Sequence, residues 1–220
     1  MRICKAGWPF IIGCFLAALL LWGSAVFFYS TILGFLTGVG FLAAAFCAYF
    51  FRDPHRIIPA GEGYCLSPAD GKVVDISEGT DPSWKEPVWI MRIFLSVFEP
   101  HLQRTPIPGR VNLVVHKKGR FLDARDPQAH IENEQNRIEI QPKNSKIQGP
   151  IVVTQIAGLI ARRIVCSVSE GDELQAGQRI GLIRFGSQVD MVFPKTMKLR
   201  VKTGDHVTAG DTIIAELSGS

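Results

Sequence analysis

Between Trp8 and Phe51 the chain has no Asp, Glu, Lys or Arg. That absence excludes a solvated segment of a soluble domain, and it contrasts with a remainder that is charged and punctuated by Pro and Gly. A spanning helix needs roughly 20 apolar residues, at about 1.5 Å each, to cross about 30 Å of hydrocarbon. The run therefore predicts two transmembrane helices, over Trp8–Phe28 and Thr31–Phe51, with a turn at Tyr29, Ser30 and Thr31. Arg2 and Lys5 precede the pair, and Arg52, His55 and Arg56 follow it. The positive-inside bias then places both termini and the rest of the chain on the cytoplasmic face of the inner membrane. A cleaved signal peptide fits poorly, because the apolar run is too long and ends in Phe50, Phe51 and Arg52. Gly34, Gly38 and Ala45 are spaced for close helix contact.

Cys4, Cys14, Cys47, Cys65 and Cys166 show no paired or metal-type spacing. An odd count facing the cytoplasm argues against a disulfide framework and leaves structural thiols. The stretch Glu132, Asn133, Glu134, Gln135, Asn136 matches no ligand pattern, so no metal is expected. Aromatic and basic residues do not interleave, which argues against nucleic acid as a partner.

Helical periodicity is also scarce once the apolar run ends. Residues 52–60 carry Pro54 and Pro59 among charges and read as an interfacial linker, so that 1–51 is the anchor and 61–220 the remaining domain. Short β-rich runs follow at Lys72–Ile76, Val88–Leu95, Arg110–Val115, Arg137–Ile140, Ile151–Ile156, Arg162–Val168, Ile180–Phe185 and Val189–Phe193, separated by Gly, Pro, Asp and Asn. They predict an all-β sandwich or barrel. Gly171-Asp172-Glu173-Leu174-Gln175-Ala176-Gly177 followed by Ile180 echoes Gly204-Asp205-His206-Val207-Thr208-Ala209-Gly210 followed by Ile213. Each copy resembles the half-motif of lipoyl- and biotinyl-type barrel-sandwich hybrid folds.

Out of the first copy leads Arg184-Phe185-Gly186-Ser187-Gln188, a Gly-Ser step between two strand-like runs. Gly tolerates strained dihedrals there, and Ser offers a hydroxyl. If that hydroxyl reaches the Gly186 carbonyl, the amide can become an ester, and β-elimination then cuts the chain and leaves a pyruvoyl ketone. By itself the step reads as a turn serine. The losing proton needs a base, and His101, after Glu99-Pro100, is a candidate, with Asp70 able to fix its tautomer in the manner of a hydrolase triad. Taken singly, Asp70-Gly71 reads as a hairpin turn and His101 as a structural histidine.

Six stretches carry a resemblance: Arg52–Pro59 (RDPHRIIP), Ser67–Val73 (SPADGKV), Leu95–Pro106 (LSVFEPHLQRTP), Glu132–Asn136 (ENEQN), Ile156–Cys166 (IAGLIARRIVC) and Gly177–Asp190 (GQRIGLIRFGSQVD). In this order they resemble the phosphatidylserine decarboxylase family in its short prokaryotic, archaeal-type form. The resemblance implies a proenzyme that cuts itself between Gly186 and Ser187 into a large chain, 1–186, and a small chain, 187–220. It implies Ser187 as nucleophile and pyruvoyl precursor, His101 as base and Asp70 as its orienting partner. The pyruvoyl cofactor, in place of pyridoxal phosphate or a metal, would decarboxylate phosphatidylserine to phosphatidylethanolamine and CO₂ through a Schiff base. Longer relatives carry a second histidine where this chain has Arg104, and Leu-Gly-Ser-Thr where it has Phe185, Gly186, Ser187 and Gln188. Arg104 is therefore expected either to hold the serine headgroup or to be a surface arginine.

Arg52, Arg56, Lys117, Lys118, Arg120, Arg162 and Arg163 lie in the cytoplasmic part of a chain of net charge +4, and each can add about 1 kcal/mol of attraction to an anionic leaflet. A homo-oligomer is compatible with the sequence. The alternative is a membrane-tethered carrier or adaptor, in which Met197-Lys198-Leu199 would stand for the biotin-carrier Met-Lys-Met and Lys198 would be the modified residue. Lys198, however, is too close to the second Gly-Asp turn for a hairpin tip. A relative that cleaves itself but acts on another amino-acid-derived substrate would share every site residue.

Overall fold

The uncharged run forms two helices, α1 (Trp8–Phe27) and α2 (Thr31–Phe50), each long and apolar enough to cross a membrane. Pro9 sits in the first turn of α1, where its missing N–H costs no helical bond. Tyr29 takes a left-handed φ of 50° to turn the chain, and the Ser30 side chain caps α2 by accepting from the Leu33 N–H at 3.4 Å. Thr37, Gly40, Ala44 and Cys47 recur on one face of α2, and a Cβ added to Gly40 would lie 2.9 Å from the Ala18 Cβ of α1. The close contact is therefore made by Gly40. Gly34 and Gly38, expected there from their spacing, have open space beside them. Beyond the helices, Arg2–Ile3 pairs with Arg52–Asp53, and the Arg52 guanidinium lies 3.8 Å from the centre of the Tyr49 ring.

The computed structural model describes residues 2–61, 63–126, 128–159, 163–184 and 186–217, in two compact units, Met1–His55 and Arg56–Ser220. Arg162 and Phe185, which figured in the expected strands and basic residues, lie outside the described residues. The second unit is built on a curled antiparallel sheet. Its strands are β1 (Gly71–Gly79), β2 (Val88–Leu95), β3 (Gly109–Lys117), β4 (Gln135–Pro142), β5 (Ile151–Ile156), β6 (Glu173–Leu174), β7 (Ser187–Pro194) and β8 (His206–Val207). They lie in the order β6-β3-β4-β5-β7-β2-β1-β8. Alternation decides which face is core: Val189, Met191 and Phe193 of β7 are fully buried beside Ile93 and Met91 of β2 and Val153 of β5.

Two three-stranded sheets complete the unit. One runs Ile164–Cys166, Arg179–Ile183, Leu102–Arg104, and the other Met197–Leu199, Ile213–Leu217, Tyr64–Leu66. They are two copies of one arrangement, and the repeat extends further than the Gly-Asp echo. Ser67-Pro68-Ala69-Asp70-Gly71-Lys72-Val73 corresponds to Thr105-Pro106-Ile107-Pro108-Gly109-Arg110-Val111. The Ser67 Oγ donates to the Ala69 carbonyl at 2.7 Å, and the Thr105 Oγ1 to that of Ile107 at 2.7 Å. Val73 N–H donates to Asp205 O and Gly204 N–H to Val73 O, as Val111 does to Asp172 and Gly171 to Val111. Gly204 and Gly171 take φ of 99° and 92°, and Gly210 and Gly177 take 72° and 70°. At each of these positions a side chain would be strained, which is why both echoes keep glycine there.

Gly71 opens β1 instead of making the hairpin turn expected of Asp70-Gly71. Its bare Cα lies against the Phe94 carbonyl, where an added Cβ would come within 2.3 Å.

Candidate active site

Ser187 is the first residue of β7, opposite Leu95 of β2. Because it alternates in phase with Val189 and Met191, its side chain faces the interior. The residue is fully buried, and its Oγ has no hydrogen-bond partner among the described residues. An unsatisfied buried hydroxyl costs stability and is unusual in a folded protein. Just before it, Gly186 takes φ of 69° and donates its N–H to the His101 Nε2 at 3.0 Å. Below the peptide that joins the two lies Gly158, where a Cβ would stand 2.3 Å from the Gly186 carbonyl oxygen. Only glycine lets the chain after β5 approach that carbonyl so closely.

His101 is fully buried. Its Nδ1 lies 2.8 Å from the Glu99 carbonyl, an acceptor, so the proton sits on Nδ1 and the Nε2 lone pair faces the Gly186 N–H. The Glu99 carboxylate closes the same turn by accepting the Ser96 N–H at 2.8 Å. Behind the ring runs a chain of buried amides. Asn136 Nδ2 donates to Gln155 Oε1, Gln155 Nε2 to Gln103 Oε1, and Gln103 Nε2 to the His101 carbonyl, each at 2.9 Å. Gly181 leaves room for it, since a Cβ there would meet the Gln155 Nε2 at 2.5 Å.

Asp70, the expected orienting partner of His101, is buried at the start of β1, and its hydrogen bonds go to the Arg56 guanidinium and the Ala209 N–H. The bond that holds the imidazole at Nδ1 is that of the Glu99 carbonyl. Burial pushes the Asp70 carboxyl up to about 6, Arg56 pulling against it and the nearby Glu99 carboxylate adding to the rise. Asp70 thus lies within electrostatic reach of the turn that presents His101.

Arg104 is only 9% exposed, so it is not a surface arginine. Its Nη1 donates to the Gly177 carbonyl at 2.9 Å, and its stem passes below Gly210, tying together the glycine turns of the two copies. Lys198 sits within the strand Met197–Leu199 opposite Glu216, not at a hairpin tip. A pocket of about 170 Å³ opens beside Gly186, lined by Phe94, Val97, Asp123, Ala124, Arg125 and Leu159. Arg125 holds the Asp123 carboxyl down to about 2 at its rim.

Sequence reasoning gave Glu99, Gly158 and the three amides no role at this site, and it read Arg56 as a cation facing the membrane, whereas its guanidinium is turned inward onto Asp70. Several of them lie inside the stretches that carry the family resemblance, but nothing in a stretch read alone says that Gly158 faces Gly186.

Fold and site together describe a protein with two long apolar helices whose β-rich unit buries a serine against its own preceding peptide, with a histidine on that peptide. The family model described as phosphatidylserine decarboxylase matches residues 43–215, which include Asp70, His101, Gly158, Gly186 and Ser187. A protein of Saccharopolyspora erythraea named "Phosphatidylserine decarboxylase proenzyme" is 40% identical, over 97% of this chain and 87% of its own length. The chain belongs to the phosphatidylserine decarboxylase family.

Proposed function

We propose that this chain decarboxylates phosphatidylserine to phosphatidylethanolamine and CO₂, after cutting itself between Gly186 and Ser187. The observation that carries the reading is the buried Ser187 hydroxyl, left without a hydrogen bond beside a peptide whose N–H is held by His101 and whose carbonyl is pressed against Gly158. His101 Nε2 releases the Gly186 N–H and takes the Ser187 proton. Oγ adds to the Gly186 carbonyl carbon, His101 passes the proton it took to the Ser187 nitrogen as the C–N bond breaks, and Gly186 is left as an ester on Oγ. Loss of the Ser187 α-proton expels the Gly186 carboxylate, and water replaces the resulting enamine nitrogen, releasing ammonia and leaving a ketone.

Asp70, held by Arg56, supplies negative charge that stabilises His101 while it carries the proton. Oxyanion donors of the kind such a step requires contribute about 10²–10³ in rate each. A pyruvoyl group formed at Ser187 would supply a ketone as electrophile for the substrate amine and as a sink for the electron pair left by CO₂. His101 Nε2 then delivers the proton to the carbon that lost CO₂. Arg104 serves the scaffold in this account, because its Nη1 already holds Gly177.

The helices α1 and α2 anchor the chain in the inner membrane with both termini cytoplasmic, in keeping with the basic residues on either side of them. The repeated three-stranded sheets support reading the two Gly-Asp echoes as half-motifs of a barrel-sandwich hybrid. The small chain, 187–220, stays with the large one, because β7 is paired on one side with β2 and on the other with β5.

Intact mass of the purified full chain tests the reading. The wild type should give two chains, split after Gly186, with the smaller blocked at its N-terminus and reactive toward carbonyl reagents, and Ser187→Ala should stay whole. A wild type that folds but remains one chain would sink the self-processing account.

A further inference from the structure

The two copies of the repeat correspond through the main sheet as well, and the correspondence locates a second site. Val73, Ile93 and Val189 stand in register across β1, β2 and β7, as Val111, Ile140 and Ile151 do across β3, β4 and β5. A register shift follows Val73 and Val111 alike. Two residues before Val189 and Ile151 stand Ser187 and Gly149, so these correspond, as Asp70 does to Pro108. The His101 carbonyl accepts the Ile183 N–H at 3.2 Å, and the Gly63 carbonyl accepts the Leu217 N–H at 3.0 Å at the same place in the other three-stranded sheet. His101 therefore corresponds to Gly63. The second copy keeps the frame and lacks the hydroxyl, the carboxylate and the imidazole.

A cavity of about 500 Å³ opens where those groups are missing, and Gly63 and Pro108 line it with Tyr64, Leu66, Lys143 and Lys146. Sites for small molecules commonly measure roughly 300–1,000 Å³. At the matching positions the catalytic copy packs the Asp70 carboxylate, paired with Arg56, and the buried His101 ring. Deleting those side chains while the frame stays leaves room inside it.

The charge is reversed too. Pro142 stands two residues after Ile140 as Leu95 does after Ile93, so the turn Ser96–Glu99 corresponds to Lys143–Lys146, and an ammonium replaces the Glu99 carboxylate. The Lys143 N–H donates to the Pro108 carbonyl at 3.0 Å and the Lys146 N–H to the Asn144 Oδ1 at 3.0 Å, which fixes the turn against the cavity. Both lysine side chains are exposed, and neither makes an ion pair among the described residues. The Glu216 carboxylate, opposite Tyr64, is matched by Arg200 at 2.5 Å, and Glu62 lies outside the described residues. We infer that this cavity binds a phosphate monoester carrying a short apolar chain. The phosphate sits between Lys143 and Lys146, since lysine binds phosphate as a point charge, and the chain lies on Leu66 and Tyr64. The site goes beyond the decarboxylase reading and does not depend on it.

Calorimetric titration of the full-length protein in a neutral detergent, with hexyl phosphate, inorganic phosphate and hexanol in turn, tests the site. Hexyl phosphate should saturate it and bind about tenfold more tightly than either of the others. Lys143→Gln/Lys146→Gln should weaken that binding by about tenfold with the thermal midpoint unchanged, and Lys143→Arg/Lys146→Arg should bind within about threefold of wild type. Glu62→Gln should also stay within about threefold, and a gain of about tenfold would mean that a carboxylate governs the cavity and would overturn the assignment. Inorganic phosphate binding as tightly as its ester would leave a bare anion site, and hexanol doing so a bare apolar cavity; either result overturns the proposal. So does a wild type without saturable binding, or a Lys143→Gln/Lys146→Gln variant that binds hexyl phosphate like wild type, since the ligand then sits elsewhere, as in the pocket beside Gly186.

Discussion

In one copy of the internal repeat Ser67-Pro68-Ala69-Asp70-Gly71 leads into β1, and in the other Thr105-Pro106-Ile107-Pro108-Gly109 leads into β3. Hydroxyl, proline and glycine keep their places, and the hydrogen bonds built on them correspond pair by pair. The copies differ where chemistry is proposed. Asp70, ion-paired to Arg56, has as its counterpart Pro108, which has no titratable group. The strand Arg179–Ile183 leads on towards Gly186 and Ser187, whereas its counterpart, Ile213–Leu217, lies at the end of the described chain. The shared positions build the scaffold, and the divergent ones are where a duplicated frame is free to acquire function.

The largest effect should come from the divergent position. Asp70→Asn keeps a polar group for the Ala209 N–H but removes the charge, and self-cleavage, followed by gel or intact mass, should slow by about 10²- to 10⁴-fold. In wild type the same carboxyl, raised to about 6, should make the cleavage rate climb between pH 5 and 7 with a midpoint near 6, a limb that Asp70→Asn lacks. The stability sign is opposite. A carboxyl raised from 3.8 to about 6 by folding holds its proton more tightly in the native state, so its contribution to stability falls as pH rises from 3.8 to about 6 and is level above. An unchanged cleavage rate in Asp70→Asn would reduce Asp70 to a structural partner of Arg56.

Next in size is Gly158→Ala. The added methyl would overlap the Gly186 carbonyl, and a displacement of about 1 Å at a reacting bond costs about 10² in rate. Maturation should slow by at least that order, and the thermal midpoint should fall with it, because the Gly186 backbone has to move aside. A large fall in midpoint with normal cleavage would make Gly158 a packing residue only.

The shared positions should respond alike. Gly177→Ala and Gly210→Ala both force a side chain into φ near 70° and should each destabilise by about 1–2 kcal/mol, read as similar shifts in denaturant midpoint. Dissimilar shifts would mean that the two copies do not bear equal load. The smallest effect is expected from Arg104→Lys, which loses the bond to the Gly177 carbonyl, about 1 kcal/mol, and leaves KM for phosphatidylserine unaltered. A raised KM would return Arg104 to the headgroup.

What the sequence disclosed depended on how local the signal was. The two helices follow from composition alone, and the strands from short β-rich runs, so both were legible. Ser187, His101 and Asp70 stood out through the stretches around them. The Glu99 contribution was illegible because it is a backbone carbonyl, which any residue could offer. The amide chain joins Gln103 to Gln155 across 52 positions, and periodicity does not report contacts at that range. The spacing of Gly34 and Gly38 suggested a helix contact, yet the face that closes is Thr37, Gly40, Ala44 and Cys47, which small-residue spacing cannot distinguish. The Ser67 and Thr105 segments echo each other with a longer offset than the two Gly-Asp turns do, so a single period does not reveal them.

The central place of β7 in the main sheet has a further consequence for how the protein ages. Before the cut, refolding is a search within one chain. If the cut falls between Gly186 and Ser187 as proposed, the strand between β2 and β5 belongs to a different molecule afterwards, and recovery from denaturation becomes a bimolecular encounter whose rate depends on concentration. The proenzyme should therefore refold at any dilution, whereas the matured protein, once unfolded in dilute solution, should be lost for good.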